Sequence, residues 1–269
     1  MKSNILFSSI ILISVTVLSL LFVFSLPPIP QALSYHHFAD TKIINGIPNF
    51  CNVISNLLFS IIGIAGFIVL WQKWQTKCFL NWQEAFPFFT LFLGVFLLGM
   101  GSAYYHCLPE NATLVWDRIP ITIAFMSLVS ITIMERINLS IGFWFLFPLL
   151  ALGVGSVWYW HWTELLGRGD LRLYGFVQFY PMVLIILILY LFPKPYPPNS
   201  AYWWLFFFYG LAKIAESADV FIYIHTNRII SGHTLKHILA AIGTCWLIVI
   251  LKKITCYHTS NRATLLSEV

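Results

Sequence analysis

Charged side chains are scarce in this sequence. Asp, Glu, Lys and Arg together make up 9% of the 269 residues, whereas 59% are hydrophobic, and the mean hydropathy is +0.82. A soluble domain needs a polar surface that this composition cannot supply, so we predict an integral membrane protein that crosses the bilayer several times. The net charge of +5 comes without any run of basic residues, so no nucleic-acid partner is expected.

The chain also lacks the features that join or cross-link soluble domains. No internal repeat, low-complexity segment or long Gly/Ser linker interrupts it. The cysteines form no C-x-x-C pair, so we expect mainly free thiols; a disulfide between Cys51 and Cys107, on one membrane face, is the alternative. The five cysteines are Cys51, Cys78, Cys107, Cys245 and Cys256.

Apolar windows of membrane-spanning length are plentiful instead. Eight such windows lie at residues 5–26, 50–71, 86–107, 112–134, 140–162, 172–192, 201–223 and 232–251. We predict an all-α integral membrane protein, a seven-transmembrane helix bundle with one additional N-terminal transmembrane helix. The first window could be a secretory signal, but its apolar run exceeds the usual length of about 7 to 15 residues, which favours a retained signal anchor. The predicted regions are the anchor at 1–34, the bundle at 35–252 and a tail at 253–269.

The basic residues between these windows predict the orientation of the chain. One side of the membrane receives Lys2, Lys73, Lys77, Arg136, Lys194, Lys252, Lys253 and Arg262, and the other receives Lys42, Arg168, Arg172 and Arg228, with Arg118 at its edge. Because basic residues favour the cytoplasmic side, both termini are predicted to be cytoplasmic. The end of the third window and the start of the last window then face the non-cytoplasmic side.

A serine, a histidine and an aspartate meet on that side. Ser102 and His106 are four residues apart and share one face of a helix. Pro109 ends this helix, and the chain turns back so that Asp117 lies at about the depth of His106. Polar residues are costly inside a membrane, so their convergence indicates a functional site.

Two more histidines open the last window, in the motif Gly232-His233-Thr-Leu-Lys-His237. Histidines four residues apart on a helix can occupy two positions on one metal ion. With His106 at a matching depth, three imidazoles leave one position for water, which is the ligand set of a catalytic zinc ion. The alternative is that separate interhelical hydrogen bonds satisfy the three histidines.

Metal-assisted hydrolysis would use every member of this set. A bound zinc ion lowers the pKa of its water from about 15.7 toward about 7. Asp117 could accept that proton, and Ser102 could donate a hydrogen bond to the oxyanion. The rival scheme makes Ser102 the nucleophile and His106 its base, which leaves His233 and His237 without a role.

Four motifs together resemble a known family. They are Asn52-Val-Ile-Ser-Asn56, Gly101-Ser-Ala-Tyr-Tyr-His106, Asp117-Arg-Ile-Pro120 and Gly232-His233-Thr-Leu-Lys-His237, within residues 40–251. Their order and spacing resemble the alkaline ceramidases, which belong to the seven-helix membrane hydrolases together with the adiponectin receptors.

The resemblance implies zinc held by His106, His233, His237 and water, with Ser102 and Asp117 beside it. It implies hydrolysis of the amide of a ceramide-like lipid to a sphingoid base and a fatty acid. The implied partners are this lipid and the bilayer, with no obligate protein partner. Two alternatives stay open, namely a zinc-containing lipid receptor or binding protein, and a metal-dependent lipid esterase.

The sequence departs from the family at three places. Eukaryotic members have an acidic calcium-binding loop, whereas residues 38–49 here keep only Asp40, which leaves calcium in doubt. Lys236 replaces an aromatic residue that is usual in the histidine motif, and Arg118 follows the aspartate where animal members commonly have an acidic residue. These departures resemble the bacterial branch and favour a bacterial inner membrane over the ER or Golgi.

The seventh window contains three charged residues, Lys213, Glu216 and Asp219. Each would cost about 2.5 to 3.5 kcal/mol facing lipid at mid-depth, so we predict that all three face the bundle interior. Lys213 and Glu216 are expected to pair with each other rather than with substrate, and Lys236 could reach Glu216 or Asp219. The second window contains the polar residues Asn52, Ser55 and Asn56. We expect them to form interhelical hydrogen bonds.

Overall fold

The computed structural model describes residues 2–79, 81–194 and 199–267, and the side chains of residues 5–79, 81–194 and 199–253. Over these ranges the chain is helical and contains no β-strand, which confirms the all-α prediction. The helices are α1 (Lys2–Ser25), α2 (Phe50–Ser55), α3 (Leu57–Gln75), α4 (Trp82–Cys107), α5 (Asn111–Arg136), α6 (Leu139–Leu165), α7 (Arg172–Leu191), α8 (Ser200–Ser217), α9 (Asp219–His225) and α10 (Gly232–Ser267), with a 3₁₀ turn at Leu33–His36.

Seven of the eight predicted windows form segments that are long and apolar enough to cross a membrane. These segments are Ile5–Ser25, Phe50–Gln75, Trp82–Cys107, Asn111–Arg136, Leu139–Leu165, Arg172–Leu191 and Gly232–Lys253. The chain therefore has the helices of a multi-pass membrane protein. The remaining window, 201–223, divides at Ala218 into α8 and α9. There the carboxylate of Asp219 accepts hydrogen bonds from the backbone amides of Ala39 and His233.

Capping residues fix where α4 and α5 begin. The Asn81 side chain accepts a hydrogen bond from the Glu84 amide at 3.2 Å, so α4 starts at Trp82 rather than at the predicted residue 86. Glu110 and Thr113 form a capping box at the start of α5. The short turn between Cys107 and Asn111 contains Pro109, so the two helices turn back where the sequence predicts it.

Glycines allow the helices around the site to pack closely. A side chain at Gly101 of α4 would collide with the backbone carbonyl of Trp116 in α5. A side chain at Gly99 would meet Ser60 of α3 on the other side of α4. Such small residues bring helix backbones together in membrane proteins. Here Gly101 allows the close approach of α4 and α5, the helices that carry Ser102 and Asp117, and Gly99 allows that of α4 and α3.

The segment between α1 and α2, residues 26–49, folds over the end of the bundle where the histidines lie. The amide of Leu171 donates to the carbonyl of Ile29 at 2.8 Å, and the Asn49 side chain donates to the carbonyl of His106 at 2.8 Å. We call this segment the covering segment. It separates the histidines from the surface on that side.

Helix α1 packs on the outside of the bundle against α7. The hydroxyls of Thr16 and Tyr180 are 2.6 Å apart, and the Arg172 guanidinium donates to the carbonyl of Leu26 at 2.6 Å. Polar contacts therefore hold α1 at two depths. The thiols of Cys51, Cys78, Cys107 and Cys245 are free, which confirms that prediction for these four; Cys256 lies outside the described side chains.

Candidate metal centre

The three predicted histidines form one buried cluster. His106 comes from the end of α4, and His233 and His237 come from the first turns of α10. The ring centroids are 4.8 to 4.9 Å apart, and one nitrogen from each ring lies within 4.8 Å of the others. The side chains are almost fully buried, at 1%, 6% and 3% exposure respectively. Three imidazoles in this arrangement could hold a metal ion, as the spacing predicts.

The hydrogen bonds of Ser55 fix the orientation of the His237 ring. The Ser55 hydroxyl lies 3.0 Å from the carbonyl of Asn52 and 2.9 Å from Nδ1 of His237. A hydroxyl has only one proton, and the Asn52 carbonyl can only accept it. We therefore assign the His237 proton to Nδ1, which donates to Ser55, and the lone pair to Nε2. Metal-ligating histidines usually have such a partner on the second nitrogen.

The free nitrogens of the cluster fit a zinc site. Nε2 of His237 is buried and has no hydrogen-bond partner among the described residues. Unpartnered buried nitrogens are costly unless a ligand or ion satisfies them. Nε2 of His106 and Nε2 of His233 are 3.3 Å apart. Two nitrogens bound tetrahedrally at about 2.0 to 2.1 Å from one zinc ion would be separated by about the same distance.

A lysine lies beside this cluster and opposes a cation. Nζ of Lys236 is 3.3 Å from Nε2 of His233 and 2.8 Å from the carboxylate of Glu216. Glu216 also pairs with Lys213. The predicted pairing of Lys213 with Glu216, and of Lys236 with the same carboxylate, is confirmed. An ammonium group this close repels a metal ion, and the ion pair with the Glu216 carboxylate offsets part of that charge. Because Nζ of Lys236 lies within hydrogen-bond distance of Nε2 of His233, a metal ion at that nitrogen would compete with the ammonium group.

Aromatic packing covers the cluster on the side of the covering segment. The ring of Phe38 lies 4.6 Å, between centroids, from both His106 and His233. Phe38 is itself buried at 9% exposure. The cluster therefore sits in surroundings of low dielectric, where interactions with charge are stronger than in water.

Ser102 and Asp117 lie next to the cluster, on the wall of a cavity inside the bundle. Ser102 is buried at 3% exposure, one turn before His106, and Asp117 is half-buried. Both line a cavity of about 160 Å³ together with His237, and we call it the site cavity. The five predicted site residues are thus neighbours, although His106 and His233 are not among the residues that line this cavity.

The site cavity is polar at one end and apolar along the rest. Lys236 and Glu216 add to the polar end, near Asp117. The deeper lining consists mainly of hydrocarbon side chains, namely Phe59, Leu91, Val95, Leu98, Ile121, Phe125, Leu128, Leu205 and Leu247. A lining of this kind, polar at one end and apolar elsewhere, suits an amphiphilic molecule with its polar group near His237.

Some contributors to the site were not predicted. Interhelical hydrogen bonding by Asn52 and Ser55 is confirmed: Asn52 accepts a hydrogen bond from the hydroxyl of Thr234 at 2.6 Å, and Ser55 contacts Nδ1 of His237. The sequence does not predict that Ser55 orients the ring of His237. The sequence does not predict a role for Phe38 or His36 either, but the ring nitrogens of His36 form hydrogen bonds with the side chains of Tyr105 and Asn111, each at 2.9 Å. The covering segment has no helical periodicity, so the sequence gives no signal for its contacts.

The fold and the cluster together define a class. This is a multi-pass helical membrane protein with a buried three-histidine site that could hold a metal ion, compatible with zinc. No protein-family model matches the chain, and no curated protein matches it.

Proposed function

We propose that this protein is a zinc-dependent hydrolase within the membrane that cleaves the amide of ceramide-like N-acyl sphingoid lipids. One observation carries the proposal: Ser102, Asp117 and His237 meet at the polar end of an otherwise apolar cavity, and His237 belongs to the three-histidine cluster. A zinc ion held by His106, His233 and His237 would lower the pKa of a water molecule to about 7 and so supply a nucleophile near neutral pH.

Asp117 is the proton acceptor in this scheme. Its carboxylate lies in the site cavity and is the acidic group of α5 nearest the cluster. It would take the proton of the attacking water and deliver it to the amine that leaves. General acid-base catalysis of this kind contributes a factor of about 10² to 10⁴ in rate.

Ser102 is the hydrogen-bond donor in this scheme. The hydroxyl is buried on the same face of α4 as His106, one turn away. It would donate to the amide oxygen as negative charge develops there during attack. Loss of one such donor costs a factor of about 10² to 10³ in rate.

The lining of the cavity supports a lipid substrate. Its apolar lining suits the hydrocarbon chains, and the half-buried polar end suits the amide and hydroxyl groups of a sphingoid lipid. The resemblance to the alkaline ceramidases favours an amide over an ester. The distribution of basic loop residues favours cytoplasmic termini and a site toward the other side, and the resemblance to the bacterial branch favours a bacterial inner membrane.

The test is lipid hydrolysis by the purified full-length protein in detergent, with fatty acid release measured by mass spectrometry. We expect release from an N-acyl sphingosine. Asp117→Asn should retain zinc and lose at least about 100-fold in rate, whereas His237→Ala should lose both zinc and activity. Ser102→Ala should lose about 100-fold or more, and its matched control Ser156→Ala, another buried helical serine, should not.

Different outcomes separate the alternatives. Release of fatty acid from a glycerophospholipid alone would replace the amidase with a metal-dependent esterase. A protein that binds zinc and an N-acyl sphingosine but cleaves neither lipid, with binding unchanged in Asp117→Asn, would be a receptor or lipid-binding protein. A purified wild-type protein without metal would refute the proposal.

A further inference from the structure

A groove separates α1 from α7 on the outside of the bundle. Its volume is about 740 Å³, within the range of about 300 to 1,000 Å³ typical of small-molecule sites. The walls along its length are apolar, with Leu18 and Phe22 from α1 and Phe176 and Phe179 from α7. We call it the α1–α7 groove.

A buried cation, Arg118, lines one end of this groove. Arg118 is 4% exposed, and its guanidinium lies 4.1 Å from the ring of Trp160 and 4.4 Å from the ring of Tyr174. Nη2 donates to the side chain of Gln31 at 2.6 Å. Nε and Nη1 are buried and have no hydrogen-bond partner in the described part of the chain.

A buried charge in this position is costly unless an anion neutralises it. No carboxylate among the described residues forms an ion pair with Arg118; the nearby Glu164 accepts from the amide of Gln31 and the indole of Trp160 instead. The two unpartnered nitrogens of Arg118 therefore indicate an anionic ligand in the groove.

We propose that the α1–α7 groove binds one long-chain fatty acid, with its carboxylate on Arg118 and its chain between α1 and α7. The depth of each group agrees with this orientation. Leu26 and Ile29 line the loop end of the groove, close in sequence to Gln31, the hydrogen-bond partner of Arg118. Val15 lines the groove from deeper in α1. From Val15 to Ser25, where α1 ends, the helix rises about 15 Å, so the groove offers a charged group near the bilayer surface and an apolar path toward its middle.

The groove adjoins the site cavity. Tyr35, Tyr174, Gln178 and Lys213 line both of them. If the proposed amidase releases a fatty acid, the groove lies where that product can be held, but binding at Arg118 requires neither the zinc ion nor hydrolysis. Failure of this proposal would therefore leave the proposed activity untouched, and the converse also holds.

The test is palmitate binding to the full-length protein in lipid nanodiscs, measured by isothermal titration calorimetry after zinc depletion and again with zinc bound. We expect saturable binding at one site in both states. Arg118→Gln should weaken it at least tenfold. Gly175→Phe, which fills the groove from a position where an added Cβ meets no atom within 4 Å, should do the same. Its matched control Gly155→Phe, another helical glycine with open space around it, should bind palmitate normally.

Two further probes test the charge and the occupant. Hexadecanol has the same chain without the carboxylate, so we expect it to bind the wild type at least tenfold more weakly than palmitate and to lose this disadvantage in Arg118→Gln. The proposal is overturned if Arg118→Gln and Gly175→Phe both bind palmitate like the wild type. It is also overturned if hexadecanol binds the wild type as tightly as palmitate, or if phosphatidylglycerol displaces palmitate at lower concentration.

Discussion

Replacing Ser55 with alanine should weaken zinc binding by about 10- to 100-fold. The serine hydroxyl accepts the Nδ1 proton of His237 at 2.9 Å while donating its own proton to the carbonyl of Asn52. Alanine leaves that Nδ1–H group buried without an acceptor and lets the imidazole change its orientation and tautomer. Loss of the hydrogen-bond partner on the histidine nitrogen that does not bind the metal typically costs 10- to 100-fold in metal affinity, or about 1.4 to 2.7 kcal/mol. The penalty for an unsatisfied buried donor, about 1 to 3 kcal/mol, is of the same size.

The measurement is a zinc titration of the detergent-solubilised protein against a chelator of known affinity. Ser60→Ala is the matched control, because the Ser60 hydroxyl of α3 donates to the carbonyl of Phe96 at 3.0 Å and contacts no histidine. We expect Ser60→Ala to bind zinc like the wild type. A thermal unfolding curve of each protein without zinc corrects for any general loss of stability.

The proposed role of Ser55 is refuted if the Ser55→Ala variant remains folded and its affinity for zinc is within about twofold of that of the wild type. It is equally refuted if Ser60→Ala weakens zinc binding as much as Ser55→Ala does. Either result would mean that Ser55 does not orient the ring of His237.

Three further predictions concern stability. Gly101→Ala should destabilise the protein by about 1 to 3 kcal/mol, because the added Cβ overlaps the carbonyl of Trp116, whereas Gly155→Ala should not; thermal unfolding measures both. Hydrogen bonds from Arg172 hold the pKa of the Asp170 carboxyl below its ordinary value, so its stabilising effect is complete above about pH 4 and is lost as the pH falls through the lowered pKa. Asp170→Asn should therefore lower Tm at pH 7, with a difference from the wild type that shrinks toward pH 3. Zinc at about 100 times its Kd should stabilise the folded state by about 2.7 kcal/mol, and elemental analysis should find one zinc per chain.

Each of these has a contrary outcome. Equal unfolding temperatures for the two glycine variants would show that the helices can separate at that point without cost. A constant difference in Tm across the pH range would show that the charge on Asp170 is not what stabilises the protein. Unchanged thermal unfolding after chelation, in a protein that binds zinc, would show that the ion binds the unfolded chain equally well.

The helices follow from the sequence because the bilayer restricts the choices. A backbone in hydrocarbon must satisfy its own hydrogen bonds, so a long apolar window becomes a helix whatever its neighbours are. Seven predicted windows form helical segments long and apolar enough to span a membrane. The window at 201–223 divided at Ala218, because Asp219 bonds to backbone amides of two other segments, and composition carries no information about such contacts.

The histidine pair in α10 is local and was therefore determined by the sequence. His233 and His237 share a helix face in any α-helix, and the turn after Pro109 brings α5 back beside α4. The meeting of His106 with this pair depends on how the other helices bring the end of α4 next to the start of α10, across 127 residues of sequence. The sequence could predict that meeting only on the assumption that His106 and the histidine pair lie at the same depth in the membrane.

Only the tertiary structure decided what surrounds the site. Ser55 supports His237 across 182 residues of sequence. Phe38 packs on the cluster from an irregular segment, and Arg118 packs against the rings of Trp160 and Tyr174. These contacts depend on the packing of side chains between helices, for which the sequence has no periodic signal. The sequence therefore determined the helices and the chemistry of the candidate ligands, and the packing decided which groups orient them and where a lipid can lie.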